Sequence, residues 1–430
     1  MRRNALLQSY QPSQGGYLSL ADYWWSNRSA RIAREKLGPD EDICHFHAHE
    51  EGPQTDLENI RNASRNRIGN DKVNPDFTVK WLDDTWLKYK GVLWRVGHFP
   101  SDSLECEDPL PQQCDEGWCL IILPSNEDGT AIARRMSEVT GDRFTVQETS
   151  NRPSMNPNGE SLLSRLDLVG FGILGQSKAF LDHTVDAIFG TPTRARSPHH
   201  GCPLVVFLPS FAEHYAARQV PMSIDLAQRG TCGMILLENP LRGRRALPNS
   251  IDAERLRDLS QFLAFAVRSV SDTRSILHWI DEKIRPDRLC VGGLSIGASI
   301  ATMSALTVKN LSVPTLPLCA FFPAASASST WTHERSAMRP YVNPRLDREY
   351  IEEATAITDI TTYPKLGEFD NVELLGARHD AIILGENTER LSEYLGCPIR
   401  WVRGGHVTGA LLQQYEFMQA ITRMVTKIST

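Results

Sequence analysis

The chain has 430 residues, of which 41% are hydrophobic and 23% are charged. These values are close to the averages of soluble globular proteins and exclude wholesale disorder, a collagen-like repeat and a coiled coil. Lys and Arg together number 46 and Asp and Glu 52, so the formal net charge of −6 provides no general attraction to nucleic acid or to anionic membranes. The length predicts two or three domains, or one large α/β domain with a long extension.

The cysteines and the N-terminus indicate an intracellular protein. Nine cysteines without a Cys-x-x-Cys pair argue against a disulfide framework and against a thiolate zinc site. The N-terminal sequence turns polar too early for a secretory signal, and no apolar run is long enough to span a membrane. We expect a cytoplasmic location, with a mitochondrial one as the alternative because the first acidic residue is Asp22. Peripheral contact with a membrane stays open, and no nucleic-acid partner is expected.

Residues 1–85 are polar and are predicted to be an N-terminal extension, partly helical or irregular, with one helix candidate at Leu20–Lys36. His45, His47 and His49 alternate, so they would share one face of an extended segment and could bind zinc. Because no further ligand is near in sequence, a polar loop is the favoured interpretation. We predict no metal site and no cofactor.

Two early segments, Trp86–His98 and Trp118–Leu123, alternate or are apolar and are predicted to be strands. Residues from about 125 to 200 are predicted to be an insertion. From Pro203 onward, apolar runs alternate with helix-length segments, which is typical of βαβ units and a parallel sheet. The predicted strands are Leu204–Leu208, Met234–Leu237, Leu289–Gly292, Leu316–Phe322, Val372–Gly376 and Ile399–Val402. Apolar spacings of three and four predict a helix over residues 256–284.

Gly293-Leu294-Ser295-Ile296-Gly297 matches the G-x-S-x-G nucleophile elbow. The motif needs a strand before it and a helix after it, and the apolar run ending at Gly292 and the small residues Ala298 and Ala301 satisfy that requirement. The motif in this setting predicts an α/β-hydrolase fold with Ser295 as the nucleophile.

A serine nucleophile needs a base and a carboxylate that orients the base, and in this fold they follow in the order Ser, acid, His. Asp380 comes just after the strand Val372–Gly376, and His406 comes just after the last strand. We predict these two as the acid and the base, with Asp359 and Asp370 as reserve candidates for the acid.

The oxyanion of a tetrahedral intermediate needs two backbone N–H donors. One is expected from Ile296, the residue after the nucleophile. The other is expected from Ser210 or Phe211, in the turn after Leu204–Leu208, since Pro209 has no N–H.

The basic loop with Arg242, Arg244 and Arg245, together with His214, is a candidate substrate-binding region, because Arg matches phosphate and carboxylate groups. The alternative is a solvated loop with one Arg paired to Glu238 or another acid. The segment Ala324–Ser329, with Trp331 nearby, follows a core strand where hydrolases commonly insert a lid.

Three elements together resemble the family of alpha/beta hydrolase domain-containing protein eighteen. They are Leu237-Glu238-Asn239-Pro240 with the Gly- and Arg-containing loop after it, the elbow around Ser295, and Gly404-Gly405-His406. The resemblance covers about residues 205–425 and implies a serine hydrolase of lipid or ester metabolism, with Ser295, Asp380 and His406 at the matching catalytic positions. Where the family has a Gly-Thr-Gly-Asp-His turn, this chain has Pro209-Ser210-Phe211-Ala212-Glu213-His214.

The sequence thus predicts an α/β-hydrolase fold, a mostly parallel sheet with helices on both faces, over residues 86–430 with a catalytic core at 203–430. The predicted function is hydrolysis of a carboxylic ester of a hydrophobic or lipid-like small molecule. Two alternatives stay open. One is a catalytically silent binding or scaffold protein, which the substitution of Phe211 into the oxyanion turn suggests, and the other is an acyltransferase with the same three residues.

Overall fold

The computed structural model describes residues 19–26, 54–69, 76–102, 110–156, 201–211, 213–214, 216–246, 259–313, 316–342, 346–364 and 371–427. Three predictions lie outside these residues: the His45, His47 and His49 cluster, Asp370, and the part of the Leu20–Lys36 helix beyond residue 26. The part of the predicted insertion from residue 157 to residue 200 also lies outside them.

The described strands form one mixed sheet of eleven strands. In chain order they are β1 (Lys80–Trp81), β2 (Trp86–Tyr89), β3 (Val92–Pro100), β4 (Glu116–Pro124), β5 (Val146–Glu148), β6 (Leu204–Leu208), β7 (Gly233–Leu237), β8 (Leu289–Leu294), β9 (Leu318–Phe321), β10 (Val372–Ala377) and β11 (Ile399–Val402). The sheet order is β11-β10-β9-β8-β6-β7-β4-β3-β2-β5, and β1 pairs with β3. The six strands predicted after Pro203 are β6, β7, β8, β9, β10 and β11. They are adjacent in the sheet and all parallel.

The described helices are α1 (residues 20–26), α2 (Gln54–Gly69), α3 (Glu127–Thr140), α4 (Gln219–Gln228), α5 (Leu259–Trp279), α6 (Ile296–Thr307), α7 (Ala327–Thr332), α8 (Arg348–Ala354), α9 (Gly385–Leu395), α10 (His406–Leu412) and α11 (Gln414–Thr426). The helix predicted over 256–284 is α5, followed by one π-helical turn at Ile280–Ile284. None of the helices in the described ranges has enough length and apolar character to cross a bilayer.

Helices cover both faces of the sheet, which explains why the central parallel strands, β6, β7, β8 and β9, are apolar throughout. Along β6, Leu204, Val206 and Leu208 pack on the face covered by α5 and α6, while Val205 and Phe207 pack on the face covered by α4 and α11. A strand buried on both sides has no polar face, so its sequence is a continuous apolar run instead of an alternating one. The α/β arrangement predicted from these runs is confirmed.

Two segments predicted to lie apart from the sheet contribute to it. Lys80–Trp81, within the predicted extension, pairs with β3 as a strand of only two residues, too short to leave a pattern in the sequence. In the predicted insertion, α3 buries Ile132, Ala133 and Met136 in the core, and β5 pairs with β2. The segment Trp86–His98, predicted as one strand, is instead a hairpin of β2 and β3. Strand β4 pairs with β3 and with β7, and so joins the early strands to the parallel part, as predicted. The division of the chain into an extension and a hydrolase domain stays a prediction.

All seven cysteines in the described ranges are free and buried. Burial raises the pKa of the Cys119 and Cys290 thiols to about 12, so both are protonated at neutral pH. These thiols pack as small apolar side chains.

Candidate active site

The predicted nucleophile occupies a strained turn between β8 and α6. Ser295 has φ 60° and ψ −125°, a conformation that few residues with a side chain adopt. The turn is held by the Ser295 N–H, which donates to the Phe321 carbonyl at 2.8 Å. The hydroxyl therefore stands at the carboxyl edge of the sheet, where ligands bind in α/β folds.

The flanking glycines are required because the backbone turns back on itself. A Cβ at Gly293 would lie 2.3 Å from the carbonyl carbon of Gly297, and a Cβ at Gly297 would lie 2.4 Å from the Pro209 carbonyl oxygen. Both contacts are with backbone, which has little room to move. Only glycine fits at these two positions, which gives the G-x-S-x-G pattern its physical basis.

Ser295, His406 and Asp380 form one hydrogen-bonded chain. The Oγ atom of Ser295 is 2.8 Å from Nε2 of His406, and Nδ1 of His406 is 2.7 Å from Oδ2 of Asp380. Because a carboxylate only accepts, Nδ1 carries the proton and Nε2 has a lone pair for the serine hydroxyl. The residues come from the ends of three different strands, β8, β10 and β11, which meet at this edge.

The carboxylate of Asp380 is fixed from both sides. Its second oxygen, Oδ1, accepts the N–H groups of Ile382 at 2.9 Å and Ile383 at 2.7 Å. The side chain is 2% exposed, so it interacts with the imidazole without competition from bulk water. The reserve candidate Asp359 is used elsewhere, since its carboxylate pairs with Arg390 at 2.8 Å.

The pKa of His406 is the result of opposing effects. Burial by itself lowers it, but the carboxylate of Asp380, through its charge and its hydrogen bond, and the carboxylate of Asp22 outweigh this, while Arg218 opposes them. The net result is a pKa above the usual value of 6.5. The imidazole is therefore a stronger base than a free histidine.

The residues predicted to supply the oxyanion donors line the same cavity as Ser295. Within the part of the chain that the structure describes, the backbone N–H groups of Ile296, Ser210 and Phe211 have no acceptor. The ring of Phe211 packs edge-on against Phe265, with centroids 5.5 Å apart, and the guanidinium of Arg242 stacks on it at 4.3 Å. The large side chain at this position is thus accommodated by packing and leaves its own N–H open.

An apolar cavity of about 120 Å³ opens at Ser295. On one side it is lined by Ile296, Ser299, Ile300 and Met303, which share one face of α6, and opposite by Phe262 of α5. Further lining comes from the predicted lid region, through Ala324, Ala327, Thr330 and Trp331. The main cationic side chain at the cavity is Arg218, which precedes α4.

The basic loop does not reach this cavity. Arg242 donates to the carbonyl of Phe211 at 2.5 Å, and Arg244 donates to the carbonyl of Met155 at 2.9 Å and stacks on Trp118. The ring of His214 accepts the N–H of Gly243 at 3.0 Å. These contacts tie the loop to its surroundings. The binding of a substrate anion by this loop stays a prediction.

Arg245 of that loop is buried and is held by an ion pair and several hydrogen bonds. It is 1% exposed and pairs with Asp272 at 2.8 Å, with further bonds to Ser101 and to the carbonyls of Cys114 and Glu238. The alternative interpretation paired one Arg of this loop with Glu238 or another acid. That other acid is Asp272, since Arg245 binds only the backbone carbonyl of Glu238. Asp272 lies within the long helix α5, so the loop sequence alone gave no sign of this pair.

The chain matches the family model described as "Alpha/beta hydrolase domain containing 18" over residues 183–345 and 332–427. The two segments together span more than half of the chain. The chain belongs to this family. The resemblance stated from three sequence elements is therefore confirmed, and with it the α/β-hydrolase fold.

Solved structures with a similar fold are distant. The esterase from the hyperthermophilic archaeon Pyrobaculum calidifontis is 8% identical, with a TM-score of 0.42 over 92% of this chain and 96% of that one. Est1E from Butyrivibrio proteoclasticus, with ferulic acid bound, is 13% identical, with a TM-score of 0.38 over 55% and 94%. The Pyrococcus horikoshii acylaminoacyl peptidase is 10% identical, with a TM-score of 0.40 over 78% and 43%. No curated protein matches the chain. At these values the family match alone assigns the fold.

One residue of this site was missed by sequence reasoning. Asp22, in α1, is fully buried and accepts hydrogen bonds from the backbone of the loops that carry Asp380 and His406. A single carboxylate in a polar N-terminal segment has no motif around it, and only the spatial arrangement reveals it.

Proposed function

We propose that this protein is a serine hydrolase that cleaves the carboxylic ester of a hydrophobic or lipid-like small molecule. The observation that carries the proposal is the hydrogen-bonded chain from Ser295 through His406 to Asp380 at the mouth of an apolar cavity. The same three residue types, in the same roles, perform acyl transfer on several unrelated folds.

The chemistry follows from these positions. Oγ of Ser295 attacks the ester carbonyl while its proton moves to Nε2 of His406, and Asp380 stabilises the imidazolium that forms. The oxyanion is stabilised by the N–H of Ile296 and by that of Ser210 or Phe211. His406 then protonates the departing alcohol, and the acyl group stays on Ser295. Water, deprotonated by His406, attacks this acyl-enzyme and releases the acid.

A fluorophosphonate probe tests this proposal without knowledge of the substrate. Oγ of Ser295 would displace fluoride from phosphorus, with His406 taking its proton, so the wild-type protein should be labelled and Ser295→Ala should not. Ser304→Ala is the matched control, because Ser304 lies on the same helix but outside the cavity lining, and its hydroxyl donates to the carbonyl of Ile300 at 2.8 Å. An unlabelled wild type, or equal labelling of Ser295→Ala, would favour the silent binding protein.

The lining of the cavity predicts how a substitution would change the preference for the length of the acyl chain. Met303 lies seven residues after Ile296 on the same face of α6, which corresponds to about 10 Å along the helix. We expect Met303→Trp to fill the far part of the cavity and to shift the preference among p-nitrophenyl esters toward short acyl chains, by about tenfold or more in kcat/KM for chains of eight carbons.

Met303→Leu conserves the volume and should keep the preference of the wild type. An unchanged chain-length profile in Met303→Trp would mean that the acyl group binds elsewhere. Adding an alcohol acceptor to the same assay measures whether the acyl group is transferred to water or to the alcohol.

A further inference from the structure

Helix α1 brings a short piece of the N-terminal segment against the active site. The Tyr23 hydroxyl donates to the carbonyl of Arg335 at 3.3 Å, and the Ser26 hydroxyl contacts Sδ of Met338 at 3.5 Å. Trp25 lines the same cavity as Ser295. These contacts place α1 beside the segment that follows α7, more than 300 residues along the chain, and at the cavity of Ser295.

Asp22 binds the backbone of the two loops that follow β10 and β11. Its Oδ2 atom accepts the N–H of Ala381 at 3.0 Å and the N–H of His406 at 2.8 Å, and its Oδ1 atom accepts the N–H of Val407 at 2.8 Å. Ala381 follows Asp380 directly, so one carboxylate holds both the acid and the base of the catalytic chain.

The geometry of α10 explains why a carboxylate is needed. His406 and Val407 are its first two residues, whose N–H groups have no acceptor within the helix. The preceding Gly405 has no side chain that could cap them. A negative charge at this end also complements the helix dipole. Asp22 therefore supplies from α1 the cap that the local sequence lacks.

The charge of Asp22 acts on the imidazole. The pKa of Asp22 is raised to about 6, first by burial and then by the charge of Asp380, while the charge of His406 and the bonds from Ala381 and Val407 oppose the increase. In turn, Asp22 and Asp380 raise the pKa of His406, and Arg218 lowers it. The base at Ser295 thus faces two carboxylates and one guanidinium.

We propose that Asp22 is a positioning residue of the active site, which aligns His406 with Asp380 through their backbone and adds a second carboxylate to the surroundings of the imidazole. The proposal rests on the proposed function, since it concerns how Ser295 is activated. It makes α1, which the sequence assigns to an extension, a part of the catalytic apparatus.

The test is the pH profile of the fluorophosphonate labelling rate in the full chain. In Asp22→Asn only one oxygen can accept, and the amide NH₂ faces N–H donors, so either the bond from Val407 or the two bonds from Ala381 and His406 are lost. We expect the labelling rate at its plateau to fall by about tenfold or more, as expected for a displaced catalytic group. Because the charge is lost, the acid limb should move to lower pH. Hydrolysis of p-nitrophenyl butyrate should lose kcat with little change in KM.

Tyr23→Phe is the matched control, because it removes a contact of the same helix and leaves the carboxylate in place. It should keep the acid limb of the wild type. A wild-type rate and profile in folded Asp22→Asn would overturn the proposal, and so would a reduced rate with an unmoved acid limb, which indicates anchoring alone.

If Asp22→Asn does not fold, as judged by its thermal unfolding, Asp22→Glu is the variant that tests the positioning role. It keeps the charge but lengthens a fully buried side chain, so the rate should fall while the acid limb stays near that of the wild type. An unchanged rate would overturn the proposal. An unlabelled wild type is a distinct result, since it contradicts the proposed function and not the role of Asp22 alone.

Discussion

Replacement of His406 by Gln is expected to lower kcat for a p-nitrophenyl ester by about four orders of magnitude, with little change in KM. The amide of Gln cannot take the proton from Ser295, so the hydroxyl would have to attack as a neutral and weak nucleophile. The measurement is steady-state hydrolysis across the pH range, with thermal unfolding to confirm the fold. His98→Gln is the control, since His98 of β3 stacks on Trp118 of β4 and is not part of the catalytic chain.

The pKa of His406 predicts the direction in which the activity of the wild type changes with pH. The base must be neutral to accept a proton, so activity is full above the pKa of His406 and is lost as the pH falls through it. Since that pKa is raised by Asp380 and Asp22, the acid limb should lie above pH 6.5 and should disappear in His406→Gln. A residual activity with the same acid limb in His406→Gln would assign the base to another group.

Replacement of Arg245 by Met is expected to lower the free energy of unfolding by about 3–5 kcal/mol. The side chains of Arg245 and Asp272 are 1% and 5% exposed, and removal of the cation leaves the Asp272 carboxylate buried, with Ser101 as its remaining hydrogen-bond partner among the residues that the structure describes. Denaturation by urea, monitored by fluorescence, measures the change. Arg348→Met is the surface control and should have little effect, because Arg348 pairs with Glu352 in solvent.

The double variant Arg245→Met with Asp272→Leu sharpens this prediction. It removes both charges together, so we expect a smaller loss of stability than Arg245→Met alone causes. Wild-type stability of Arg245→Met would contradict a structural role of Arg245.

The parallel half of the sheet was predictable because its signal is local. Strands such as β6, with five consecutive apolar residues buried on both faces, record their environment in their own sequence. The glycines around Ser295 are equally local, since each is required by backbone contacts within the turn and the neighbouring strand. The positions of Asp380 and His406 follow from topology, because the ends of parallel strands meet at one edge of the sheet.

The contributions of the early chain were not predictable in the same way. The two residues of β1 and the three of β5 are too short to produce a periodic pattern, and they become strands because β3 and β2 offer free edges. Helix α3 has apolar residues at helical spacing, but nothing in its sequence indicates where on the sheet it packs.

The sequence by itself determined the α/β-hydrolase fold, the elbow at Ser295 and the order of the predicted acid and base, because backbone sterics and burial impose these patterns residue by residue. Tertiary structure alone decided what the charged side chains do. The sequence marks Arg245 as basic and Asp22 as acidic, yet the partner of Arg245 is on α5, and Asp22 binds loops more than 350 residues away. A charge placed in a fold acts through whatever lies within a few ångströms, and that distance is set by the packing of the whole chain.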